Sequence, residues 1–181
     1  MDENLEVIAQ TEQWIKVLVI GCNFCPFAAR AMEQHSIHYQ VETATGWSAG
    51  RVALLKECER LDQDADIGTT LLIFPTAFPK FDEYLRFVTY AEKQLQSNGY
   101  EGIYQLASFH PLYRFAGSTF NDAANYTNRS VYPMLHLLRE ESIRKALEFY
   151  PHSPAGIPEN NIHFAREKGT AYMKLLRDSC L

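Results

Sequence analysis

Apolar and polar positions along the chain predict most of its elements. From Asn4 to Ile20 the residues Leu5, Ile8, Ala9, Ile15, Leu18 and Val19 fall on one helical face, while Val17 to Ile20 fits a short strand equally well. Pro26 predicts the start of a short helix reaching about Glu33. Ile37, Tyr39 and Val41 alternate with His38, Gln40 and Glu42, the pattern of an edge strand with one buried face. Ser48 is placed to cap a helix whose inward positions are Val52, Leu54, Leu55, Cys58 and Leu61, ended by the acidic stretch Asp62 to Asp66. Thr69 to Phe74 is β-branched or apolar throughout, which predicts a strand covered on both faces. Phe81, Tyr84, Leu85, Val88, Ala91 and Leu95 repeat at helical spacing up to a stop at Asn98-Gly99. Gly102 to Phe109 reads as another largely buried strand.

The order strand, helix, strand, helix, strand implies right-handed crossovers. The predicted class is α/β: a small, mainly parallel three-stranded sheet flanked by helices, with additional N- and C-terminal helices, in a single domain of residues 1–181. Past Pro133, the set Met134, Leu137, Leu138, Ile143, Ala146 and Leu147 predicts one or two helices; Pro151 to Pro158 is a loop, and Glu159 to Arg177 is helical with a break at Gly169. This last part is expected to fold back on the sheet.

In such a sheet ligands bind at the edge where the parallel strands end. Thr43 to Trp47, Pro75 to Pro79 and the chain from His110 onward share that edge. His110 opens a connection to Ser130 with no periodic pattern, and loops of this length are functional or disordered. Tyr113, Phe115, Phe120 and Tyr126 make it too aromatic for a solvated linker.

Composition narrows the partners. Hydrophobic residues at 46% and charged residues at 22% exclude a disordered chain, and a net charge of -5 leaves no basic field for nucleic acid. The longest apolar segment, Trp14 to Ala29, is interrupted by Lys16, Gly21, Asn23 and Pro26, so no membrane partner is expected. The N-terminus carries no secretory pattern, which points to the cytoplasm. Cys22, Cys25, Cys58 and Cys180 are then thiols, and the triplets at Asn125 and Asn128 are unmodified.

Cys25, just ahead of Pro26 at a helix start, is the candidate nucleophile, because a helix N-terminus lowers a thiol pKa; the alternative is a small apolar filler. Cys22 and Cys25 also have the spacing of a thioredoxin-type opening, although the long helix before Gly102 departs from that fold. His110, held extended by Pro111, is the candidate base, or else a structural histidine tying down the loop. Asn125, Asn128, Arg129 and Ser130 form an anion-binding set ahead of a helix, or else cap it, with Arg129 paired to Asp122. His136 and Glu140, four apart on the predicted helix with Arg139 beside them, add to the ligand wall and can hold a metal together with His110 or Cys25. His35, His38, His152 and His163 have no partner pattern and read as surface residues.

The strings Cys25-Pro-Phe-Ala28, Ala107-Ser-Phe-His-Pro111, Asn125-Tyr-Thr-Asn-Arg-Ser130 and Pro133-Met-Leu-His-Leu-Leu-Arg-Glu140 resemble the family of domain of unknown function 1415, found in bacteria and plant plastids. The resemblance spans roughly Gln10 to Arg166 and implies no activity or cofactor. It implies an apolar residue at position 22, so Cys22 stands outside the pattern. The reading from the residues is a small anionic-ligand site at the sheet edge, with Cys25 and His110 catalytic and Asn125, Asn128, Arg129, His136 and Arg139 binding. The alternative is a non-catalytic binding or assembly protein whose polar residues hold the long loop rigid. Cofactor and oligomeric state stay open.

Overall fold

The computed structural model describes residues 2–148, 150–151 and 153–181, so His152 lies outside the described residues. Helix α1 (Glu3–Trp14) continues directly into a π-helical segment, Ile15–Ile20, which resolves the strand-or-helix ambiguity there. Next come α2 (Ala28–Glu33), β1 (Ile37–Val41), α3 (Trp47–Gln63), β2 (Thr69–Ile73), α4 (Phe81–Ser97) and β3 (Tyr104–Phe109). After the long loop and a short 3-10 helix, Ala123–Thr127, the chain adds β4 (Met134–Arg139), α5 (Glu140–Glu148), α6 (Gly156–Lys168) and α7 (Thr170–Asp178).

The sheet has four strands in the order β1-β2-β4-β3, with β1 and β2 parallel and β4 antiparallel to both of its neighbours. This corrects the expected three-stranded, mainly parallel sheet. Residues 134–139, expected to be helical, form a strand inserted between β2 and β3. Met134, Leu135, Leu137 and Leu138 are interrupted only by His136 before Arg139, and a short apolar run of this kind fits a buried helix or a central strand equally well by periodicity. The unpaired edges of β2 and β3 supply ladder partners on both sides, and this tertiary context overrides local preference.

One sheet face carries Leu72, Phe74, Tyr104, Leu135 and Leu137 against α3 and α4. Gly50 sits on α3 where α4 crosses it, and a Cβ there would meet the Phe87 ring at 2.5 Å. The other face carries Leu71, Ile73 and Met134 against Trp14, Leu18, Ala165, Met173 and Cys180, so the C-terminal helices share this core with the N-terminal ones. Gly169, with φ +83, separates α6 from α7 at the expected break. Two details of α3 differ from expectation. Val52 points to solvent while Glu57 occupies the buried stripe, and Gly46 rather than Ser48 holds the N-cap.

Because β4 reverses direction between them, β1, β2 and β3 still run the same way, and the segments that leave them meet. The Thr76 hydroxyl donates to Thr43 O at 2.8 Å, and His110 bonds to Phe78 O. At the last pair of β3 and β4 the buried Tyr84 hydroxyl is spliced into the ladder, donating to Met134 O (2.7 Å) and accepting from the Phe109 N–H (3.1 Å). Tyr84→Phe strands both backbone groups in the core and is expected to lower unfolding stability by about 1–3 kcal/mol, read by denaturant titration. An unchanged midpoint would show that water replaces the hydroxyl.

Candidate functional site

The loop that follows β3 is closed at its base by Asn128, whose backbone oxygen accepts from His110 N–H (3.2 Å) and whose side-chain amide donates to Ser108 O (3.3 Å). Inside the closure, Asn125 is fully buried. Its oxygen accepts from Phe115 N–H (3.0 Å) and the Ser118 hydroxyl (2.8 Å), and its amide donates to Thr119 O and Phe120 O. Arg129 is 3% exposed. Its Nε donates to Tyr113 O (3.0 Å) and its Nη2 to Phe120 O (2.7 Å). The guanidinium carbon lies 4.5 Å from the Phe120 ring centroid and 4.7 Å from that of Tyr126. No carboxylate among the described residues lies within ion-pair distance of it. The expected Asp122 partner is engaged elsewhere: Asp122 caps the 3-10 helix through Ala124 N–H and takes a two-point bond from Arg166 of α6, which holds its carboxyl below the usual range. The aromatic residues that distinguish this loop in the sequence thus supply the faces that enclose a buried cation.

His110 is 1% exposed and packs against the rings of Phe81 and Tyr84. Its Nδ1 accepts from Leu112 N–H (3.0 Å), which places the proton on Nε2 for donation to Phe78 O (2.9 Å). Both ring nitrogens are therefore committed, and burial lowers the imidazole pKa. The bond restrains an unusual backbone, since Phe78 has φ +57, a conformation that costs a bulky residue about 1–2 kcal/mol.

Cys25 is half-buried. The N–H groups of Phe27 and Ala28 at the start of α2 do lower its thiol pKa as the sequence suggested, but burial acts more strongly and the net shift is upward. All four cysteines are free thiols, and burial raises each of them, Cys58 to about 12. Cys22 and Cys25 follow a helical segment rather than a strand, unlike a thioredoxin-type opening. At the two residues expected to be catalytic, burial raises the Cys25 thiol pKa and both His110 ring nitrogens are held by backbone groups.

His136 and Arg139 lie away from the loop's interior. His136 is on β4, so Glu140 four residues on is about 13 Å further along the strand direction and not on a shared helix face. The ring bonds the Thr69 hydroxyl through Nε2 at 2.7 Å, and burial pushes its pKa down to about 4. Arg139 donates to Leu61 O, Asp64 O and Ile67 O, neutralising the carbonyl end of α3. Among the described residues no three His, Cys, Asp or Glu side chains gather as a metal site.

The sequence reading missed a buried charge cluster on the α3 face. Glu57, 1% exposed, receives the Arg60 Nε at 3.1 and 3.2 Å and lies 3.4 Å from His38 Nε2. His38 is therefore half-buried beside a carboxylate, whereas His35 and His163 are exposed as expected. The available signal was an acidic residue in the apolar stripe of α3, between Leu54 and Cys58.

These features define a mixed α/β protein with a loop organised by a buried arginine, and no helix among the described residues is long and apolar enough to cross a membrane. The family described as "protein of unknown function (DUF1415)" matches residues 6–175, and the chain belongs to that family. No curated protein and no solved structure matches the chain.

Proposed function

We propose that the protein is a non-catalytic binding or assembly protein, with residues 110–130 as its recognition element. One observation carries this reading. The polar side chains expected to meet a ligand, Asn125 and Arg129, are buried and bonded to the loop's own backbone, as in a loop held rigid for display. Leu112, Arg114 and Phe120 are left facing solvent on that preorganised frame. Presenting side chains from a fixed loop reduces the ordering entropy lost on association.

A second reading, an anionic small-molecule site at Arg129, is favoured by the absence of a carboxylate near the guanidinium among the described residues. Two measurements separate the readings. Affinity capture with wild type and with Leu112→Ser/Arg114→Ser is expected to enrich a protein that the variant loses, with both proteins melting at the same temperature. A panel of anionic metabolites is expected to leave wild-type melting unchanged. Equal capture by both proteins overturns the recognition loop. Metabolite stabilisation that disappears in Arg129→Ala replaces it with the anion site.

A further inference from the structure

The outer edge of the sheet at β3 is only partly covered. In the β3–β4 ladder the bond from Glu140 N–H to Ile103 O fixes which residues pair inward, so Tyr104, Leu106 and Ser108 direct their backbone groups outward. Tyr104 N–H is taken by Tyr100 O, and Ser108 O by Asn128. Among the described residues nothing pairs with Leu106 N–H or C=O on that side. The strand also lacks the usual devices against edge pairing, having no proline and no lysine.

Two grooves flank this edge, one on each sheet face, and they share Gln105 and Glu140. The groove beside α5 is about 500 Å³, with Ile143 and Leu147 on its wall and Arg144 already paired to Glu148. The groove beside α4 is about 560 Å³ and has Glu92, Glu101 and Glu140 against the single cation Lys93. The first offers apolar surface from Ile143 and Leu147 beside Glu140 and the Arg144–Glu148 pair, and the second carries excess negative charge.

We propose that β3 accepts an extended peptide in which basic and apolar residues alternate, added antiparallel as a fifth strand. Side chains of a strand alternate between faces, and residues paired across an antiparallel ladder point to the same face. The peptide residue opposite Leu106 therefore enters the acidic groove beside α4 and should be Lys or Arg. Its neighbour opposite Gln105 enters the groove beside α5 and should be apolar, and the one opposite Ala107 shares that face. Leu106 supplies both main-chain bonds, while the two grooves supply the selectivity, as in other strand-addition modes. This surface is separate from the recognition loop, which covers only the Ser108 end of the edge, so either proposal can fail without the other.

The test is fluorescence polarisation with the whole chain and a labelled short peptide of alternating lysine and valine, with alternating glutamate and valine as control, read alongside amide chemical shifts. The lysine peptide is expected to bind and to shift the Leu106 amide, while the glutamate peptide does not bind. Glu92 and Glu101 are both exposed, so Glu92→Lys/Glu101→Lys should fold normally and weaken the lysine peptide by about tenfold or more. Equal binding of the two peptides, wild-type affinity in the double variant, or no binding to wild type overturns the proposal. Self-association through β3, seen as a concentration-dependent mass with the peptide excluded, would assign the edge to a second copy of the chain instead.

Discussion

Arg129→Ala is expected to unfold about 10 °C below wild type, since a loss of about 3–4 kcal/mol corresponds to about 2–4 °C per kcal/mol at this chain length. Two backbone carbonyls, Tyr113 O and Phe120 O, lose charge-assisted donors in a site that excludes water. The rings of Phe120 and Tyr126 lose the cation between them, and the truncation leaves a cavity. Arg129→Lys should recover only part of the loss, because a single ammonium cannot reproduce the planar fork that reaches both carbonyls. Calorimetry with limited proteolysis of residues 110–130 checks this. A melting point within a degree of wild type would mean that the guanidinium does not order the loop.

Acidification is expected to destabilise the protein between pH 6.5 and 4. The His136 pKa in the folded chain, about 4, lies below that of an ordinary histidine, so within this window the unfolded chain binds the proton that the folded chain refuses. Stability is complete above about pH 6.5 and declines as pH falls toward 4; with partial solvent contact discounted, His136 alone accounts for about 1–2 kcal/mol at pH 5. His110 acts in the same direction, because protonating Nδ1 would set a donor against Leu112 N–H. The Asp122–Arg166 pair weakens only below the ordinary carboxylate range and does not enter this window. Denaturant unfolding at pH 7 and pH 5 measures the decline, and His136→Gln should flatten it without abolishing the part due to His110. An identical slope in the variant would place the titrating group elsewhere.

The candidate site was only partly legible in the sequence. That the chain from His110 to Ser130 is organised rather than disordered follows from its aromatic content, and that Arg129 must find a partner follows from the cost of burying a charge. Which partner it finds does not follow. Carbonyls and ring faces are chosen by loop closure at Asn128, whereas the one nearby carboxylate, Asp122, is claimed by Arg166 from α6, 44 residues further along. His110 posed the same problem. Its place at the strand end was readable, but its two hydrogen-bond partners come from a residue 32 positions earlier and one two positions later, and only their joint geometry determines that no ring nitrogen is free.

By itself the sequence determined what depends on local periodicity and turn chemistry: the edge strand β1, the buried strand β2, the long helix α4 with its Asn98-Gly99 stop, and the break at Gly169. In those segments spacing, apolar face and terminating residue all point the same way. The tertiary structure decided where those signals were degenerate. Residues 134–139 became a central antiparallel strand because β2 and β3 offered unpaired backbone on both sides, and the same insertion made β3 an edge. Glu57 is buried with its charge met by Arg60 of its own helix, and only the fold sets His38 of β1 at 3.4 Å from it. Each outcome depends on groups distant in the chain coming together, which no local pattern encodes.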